Sequence, residues 1–339
     1  MTDALGIPTA DQTEKAQPPM KTAPDLADIL AARDRIAPHI RRTPLIRAER
    51  IEPVAGCALY LKPEVLQVTG AFKIRGALNA VLSLPRETLS NGVISSSSGN
   101  HAQGLSYVAR MLGIKVVLVL PVTTPKIKVE NTRALGAEVI LFDGDNASRW
   151  KQVYRIAEEN GYAVVHGFED PMVMAGQGTI GCEILEDLPD VDTVLVPLGG
   201  GGLISGVATA IKGLHPEVRV IGVEPALTPK YLHSRRNGTP TSLPLLDTIA
   251  DGLRISVPGR NPYPIIERYV DDIVLAKEDD IIAGMRALAS DCKLIAEPAA
   301  SVGIGALLAG RIDVRPDEKV CAVLTGGNWD LGALAKVYA

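Results

Sequence analysis

After a polar N-terminal stretch, the apolar residues follow two rhythms, one helical and one of short continuous runs. Leu26, Ile29, Leu30 and Ile36 recur at helical spacing, and Pro38 ends that run. Residues 58–62 read as a strand. From Val93 the two rhythms alternate: a strand at 93–94 enters a Ser-rich turn, a helix at 101–112 is closed by Gly113, and a strand covers 114–120. The next helix has Thr124 as N-cap, Pro125 at its first position and Gly136 just past its end. A strand at 138–142, a helix at 146–160 closed by Gly161, and a strand at 162–166 complete a compact βα unit. From Pro171 the alternation resumes, with strands at 193–196, 218–223, 272–275 and 319–324.

Alternating strands and helices predict an α/β fold with parallel sheets covered on both faces, and such folds bind ligands at the C-terminal ends of strands. At 339 residues the chain is long enough for about two domains. The expected division is a loose tail at 1–25, a large domain at 26–89 and 169–339, and a small mobile domain at 90–168. Only 4% of residues are aromatic, so the apolar content is aliphatic, as buried parallel strands require, and stacking platforms for single-stranded nucleic acid are scarce. A net charge of -4 supplies no positive field for phosphate backbones or anionic lipid. The expected partner is therefore a small molecule, with neither nucleic acid nor membrane involved.

The longest uncharged apolar stretch, 298–310, is too short to cross a bilayer, and the first 25 residues resemble no secretory signal. Cys57, Cys182, Cys292 and Cys321 lie far apart without metal-ligand spacing. They read as buried thiols of a soluble, cytoplasmic protein.

Four segments carry candidate chemistry. In Thr69-Gly70-Ala71-Phe72-Lys73-Ile74-Arg75-Gly76, a Lys between two apolar residues reads as a desolvated amine that attacks aldehydes, or as a surface lysine on an amphipathic helix. Ser95-Ser96-Ser97-Ser98-Gly99-Asn100-His101 follows a strand and opens a helix, which suits a carboxylate or phosphate, or simply a well-capped turn. Gly199-Gly200-Gly201-Gly202 also stands between strand and helix, where bare backbone can wrap an anion; a linker seldom sits there. Thr325-Gly326-Gly327-Asn328 ends the last strand and reads as a turn or as a hydroxyl facing a ligand. His39, His166, His215 and His233 show no metal-ligand spacing and read as structural or surface residues.

A nicotinamide-dinucleotide oxidoreductase would also explain the glycines, because Glu224 ends the next strand where an acid would bind ribose hydroxyls. The GxGxxG spacing fails, however: its third glycine falls on Ile204 or Ser205. That reading also leaves Lys73 and the Ser-rich turn idle.

Taken together, TGAFKIRGALNA, SSSSGNHAQG, GGGGL and TGGN in this order resemble the fold-type II pyridoxal-phosphate enzymes, and among them the serine/threonine dehydratase and serine racemase family. The resemblance covers about residues 25–339. It implies a tryptophan synthase β-like fold of two parallel-sheet α/β domains, pyridoxal 5'-phosphate as cofactor, an amino-acid substrate, and a homodimer or homotetramer. By resemblance, Lys73 holds the cofactor aldehyde and moves the substrate's α-proton, and Gly199, Gly200, Gly201 and Gly202 cup the cofactor phosphate. Asn100 would bond the ring hydroxyl, Ser97 to His101 would cradle the substrate carboxylate, and Thr325 would face the pyridine nitrogen. A neutral hydroxyl there makes the ring a weak electron sink, which favours β-elimination over reactions that store a carbanion. The implied activity is dehydration and deamination of a β-hydroxy amino acid such as L-threonine or L-serine to a 2-oxo acid and ammonia.

Ser98 matches the second acid/base of the racemases, so racemisation stays open. Arg149 matches an arginine that reaches a second carboxylate, which keeps 3-hydroxyaspartate open as a substrate; a solvated helix-surface Arg is the alternative. Glu224 matches the carboxylate of a divalent-metal site. Lys230 nevertheless stands where a second acid belongs, and an ammonium cannot bind a cation. The chain ends soon after TGGNWD, without room for a regulatory domain, and a catabolic role is expected.

Overall fold

The computed structural model describes residues 22–124 and 126–338. Most of the expected tail, and Pro125 at the expected helix start, lie outside them. Asp25, assigned to the tail, instead caps the helix Leu26–Ile36 in a reciprocal pairing with Asp28.

Strands β1 (Ile46–Arg47), β2 (Ala58–Pro63), β3 (Val93–Ser95), β4 (Val116–Pro121), β5 (Glu138–Phe142), β6 (Ala163–Val164), β7 (Thr193–Pro197), β8 (Arg219–Pro225), β9 (Asp272–Ala276) and β10 (Lys319–Leu324) form two sheets. The larger has the order β1-β2-β10-β7-β8-β9 and is parallel except for the short antiparallel edge β1. The smaller, β5-β4-β3-β6, is parallel throughout.

Period-two alternation sorts each sheet's side chains into two cores. In the large sheet Leu195, Ile221, Val223, Val320 and Ala322 face the core under the helix Pro298–Leu308. Val194, Val196, Val220, Cys321 and Val323 face the opposite core, under the helices Pro171–Asp187 and Gly202–Leu214. The small sheet divides the same way, with Val116, Leu118 and Leu120 on one side and Val117 and Val119 on the other.

Helix Pro171–Asp187 starts at Asp170, whose carboxylate accepts the N–H groups of Met172 and Val173. It is the spine against which the Lys73–Leu82 and Gly202–Leu214 helices pack. A side chain at Gly176 would strike the Arg75 carbonyl at 2.5 Å, so glycine here permits near backbone contact. The helix bearing Lys73 and the helix behind the glycine loop are thus fixed to one element.

Candidate active site

Four strands lead from their C-terminal ends into the expected segments. β2 leads towards Lys73, β3 into the Ser-rich turn, β7 into the glycine loop and β10 into Thr325. The segments are joined directly: Ala71 bridges Gly326, the Phe72 N–H donates to the Thr325 carbonyl at 2.9 Å, and Gly327 N–H donates to Gly70 O at 3.0 Å. Lys73 is therefore tied to the Thr-Gly-Gly-Asn turn.

The Lys73 ammonium opens the helix Lys73–Leu82 and donates to Gly167 O at 2.8 Å. Burial lowers its pKa to about 8. This lowered pKa is in keeping with the reading of a desolvated amine. Three residues after Phe72, the buried Arg75 is gripped by Glu64 and Glu183, each accepting two of its N–H bonds. Lys62 pairs with Glu183 at 2.7 Å, so the start of this helix rests on a buried ionic network.

Asn100 begins the helix Asn100–Leu112. Its Nδ2 donates to both Glu297 oxygens, at 2.9 and 3.2 Å, and its Oδ1 accepts from Asn328 Nδ2 at 3.0 Å. Glu297 is buried, and burial raises its carboxyl to about 7. Sequence reasoning missed Glu297. Its signal was a Glu-Pro step at the start of an apolar helix, which reads equally well as ordinary punctuation. Asn328 was seen only as part of a turn.

His166, read as structural or surface, is not on the surface. It is buried, stacked on Trp150 with centroids 4.1 Å apart, and its Nδ1 accepts the N–H groups of Phe168 and Glu169. The Nε2 proton then has no partner among the described residues. His101 pairs Nε2 with Val165 O at 3.2 Å, and its Nδ1 has no partner among the described residues. Burial holds His101 down at about 3 and His166 well below its ordinary value, with the Lys73 charge adding to both effects. One spare donor and one spare acceptor, both neutral, lie near Lys73.

The glycine loop is a bare cradle. A Cβ at Gly200 would meet the Phe168 ring at 2.6 Å, one at Gly202 the Phe168 Cα at 2.8 Å, and Gly201 has φ +99 with the Tyr231 hydroxyl against it. Gly199 approaches Leu253 at 3.2 Å. In the Ser-rich turn, Ser97 Oγ accepts Gly99 N–H, and Ser98 is half-buried. Arg149 is half-buried: its Nε donates to Ser96 Oγ at 2.7 Å, and burial lowers its pKa. Glu224 is the expected residue that stays outside the cleft. It lies behind the glycine loop, paired with Lys230 at 3.0 Å.

These residues fit a phosphate-bearing aldehyde: a desolvated amine, a bare glycine cradle and spare polar atoms stand together at the strand ends. The pyridoxal-phosphate dependent enzyme family model matches residues 36–326. The chain belongs to that family. An L-threonine ammonia-lyase of Geobacter sulfurreducens is 46% identical over 309 residues, covering 91% of this chain and 77% of that relative. The structure of maize serine racemase superposes with a TM-score of 0.88 at 36% identity, covering 93% of this chain and 97% of that one. A pyridoxal 5'-phosphate-dependent aspartate racemase gives 0.84 at 34% identity, covering 92% and 98%. The chain is thus a fold-type II pyridoxal-phosphate enzyme, as its motifs implied. The dinucleotide alternative is set aside. Among the described residues no helix is long and apolar enough to cross a membrane.

Proposed function

We propose that this enzyme removes water and then ammonia from a β-hydroxy amino acid such as L-threonine or L-serine, leaving a 2-oxo acid. The observation that carries this reading is that the backbone ties the segment bearing the desolvated Lys73 to the turn that begins at Thr325, through Phe72 N–H on Thr325 O and the Ala71–Gly326 bridge. Bound pyridoxal phosphate would supply an aldehyde for the substrate's amine and a ring that draws electrons from its α-carbon.

The protein supplies positions and protons. The N–H groups of Gly199 to Gly202 would hold the phosphate, and Asn100, held by Glu297 and Asn328, would hold the ring hydroxyl. Thr325 would offer a neutral hydroxyl to the ring nitrogen, which would leave that nitrogen largely unprotonated. The backbone of Ser97 to His101 receives the substrate carboxylate. Lys73 Nζ takes the α-proton as the β-hydroxyl departs with a proton as water. The resulting enamine adds water and releases ammonia, which balances the reaction.

Ser98 offers a second proton donor, which supports racemisation as an accompanying activity. Arg149, desolvated beside Ser96, supports a dicarboxylic substrate such as 3-hydroxyaspartate as the second reading. Residues 90–168 form the small domain of this reading, moving against 26–89 and 169–339. We take the enzyme to be a cytoplasmic homodimer or homotetramer, which sedimentation of the purified protein checks.

The test is a panel of L- and D-serine, L-threonine and the 3-hydroxyaspartate isomers, assayed together for 2-oxo acid and for enantiomer. Lys73→Ala is expected to abolish turnover and to end borohydride trapping of the cofactor on the Lys73 peptide. A Lys73→Ala enzyme active at near wild-type rate sinks the assignment.

A further inference from the structure

The metal carboxylate implied at Glu224 stands among residues that do not fit a divalent ion. Hard divalent cations take roughly six or more oxygen ligands, mostly carboxylates, carbonyls and water. Glu224 is fully buried, and both of its oxygens are engaged. Oε1 faces Lys230 Nζ at 3.0 Å and Tyr231 N–H at 3.1 Å; Oε2 accepts Tyr231 N–H at 3.1 Å and Leu232 N–H at 3.0 Å. Lys230 is also fully buried, and its Nζ donates to the Leu198 carbonyl at 3.4 Å. Among the described residues no three His, Cys, Asp or Glu side chains group to hold a metal.

The same pair reaches the glycine loop from behind. The Tyr231 hydroxyl donates to Gly200 O at 2.9 Å and accepts Gly259 N–H at 3.0 Å. A trans peptide points its C=O and N–H in opposite directions. Turning the Leu198 carbonyl towards Lys230 therefore turns the Gly199 N–H away from it. Turning the Gly200 carbonyl towards Tyr231 does the same for the Gly201 N–H. Two of the cradle's donors are thereby aimed at the side where the phosphate belongs.

We propose that Lys230 is a built-in cation of the phosphate cradle: its ammonium fills the place beside Glu224 that a divalent ion would need. With Tyr231 it fixes the peptide planes of the glycine loop. Lys230 is a positioning residue, not a catalytic one, and the proposal rests on the reading of Gly199–Gly202 as the phosphate cradle. The enzyme then keeps its cofactor with no divalent metal.

The experiment follows cofactor absorbance, cofactor release into buffer and thermal unfolding of the holoenzyme, in EDTA and then in Mg2+ or Ca2+. The wild-type enzyme is expected to be indifferent to all three additions. Lys230→Asp is expected to lose cofactor and melt earlier in EDTA, and to recover both in either ion. Lys230→Met alone leaves a buried carboxylate unpaired and risks misfolding, so it is paired with Glu224→Gln. The folded double variant is expected to release cofactor on the order of tenfold faster than wild type, the loss of one charge-assisted hydrogen bond.

Stabilisation of the wild type by Mg2+ or Ca2+ overturns the proposal, as does a Lys230→Asp enzyme indifferent to both ions. A folded double variant that keeps its cofactor as the wild type does also overturns it. Gly200→Ala separates the two levels, because its methyl strikes the Phe168 ring at 2.6 Å and displaces the loop whatever Lys230 does. Cofactor retained in Gly200→Ala refutes the cradle itself, whereas loss there with no effect at Lys230 refutes only the built-in cation.

Discussion

Burial moves Lys73 down from the usual lysine range and Glu297 up from the usual carboxylate range, and both arrive near neutrality. With its pKa at about 8, Lys73 holds roughly two orders of magnitude more neutral amine at pH 7 than an exposed lysine. The rate at which cofactor-free protein takes up pyridoxal phosphate should therefore rise with pH and level off near 8, as stopped-flow absorbance would record. Glu297 works with the opposite sign. A carboxyl raised to about 7 binds more protons folded than unfolded between pH 4.5 and 7, so its contribution to stability falls as pH rises through that window. Glu297→Gln should remove this slope and gain up to about 3 kcal/mol relative to wild type between pH 5 and pH 7.5. Urea unfolding of cofactor-free protein at the two pH values measures it.

Most helices and strands were legible because their punctuation is local. Gly113 and Gly161 close their helices in the left-handed conformation that glycine adopts without strain, with φ of 67 and 68. β4 is a continuous run of Val and Leu buried on both faces. The two-residue edge strand Ile46–Arg47 was not legible, because a pattern of period two needs more than one period. The helix Leu331–Tyr338 was also missed. The ionic network under the Lys73 helix was missed for another reason: Lys62, Glu64, Arg75 and Glu183 each look like ordinary surface residues until the fold buries them together. Arg75→Met leaves two buried carboxylates short of a partner and should cost about 3–5 kcal/mol, read from denaturant unfolding. A Lys73 helix loosened in this way should also take up cofactor more slowly.

An ion pair joins the segment that carries the small sheet to the one that carries the large sheet: Lys128, on the helix Lys126–Ala134, reaches Asp251 at 3.3 Å. Both side chains are about half exposed, so the pair is screened and stabilises little. Lys128→Ala should change unfolding free energy by no more than about 0.5 kcal/mol. A larger loss in denaturant melts would mean that the contact between the sheets depends on this pair.

The sequence by itself determined the alternation of strands and helices, the bare loops after them and the amine, hydroxyl and amide that serve one cofactor. These are properties of short segments, set by backbone geometry and side-chain chemistry within a few residues. Only the tertiary structure decided which distant groups meet. Glu297 lies 197 residues from Asn100 yet orients its amide, and Lys230 turns from a gap in a metal site into the partner of Glu224. Nor could the chain order reveal that Lys73 loses its proton near pH 8 or that His101 and His166 stay neutral, because their charge depends on how much water the assembled sheets exclude.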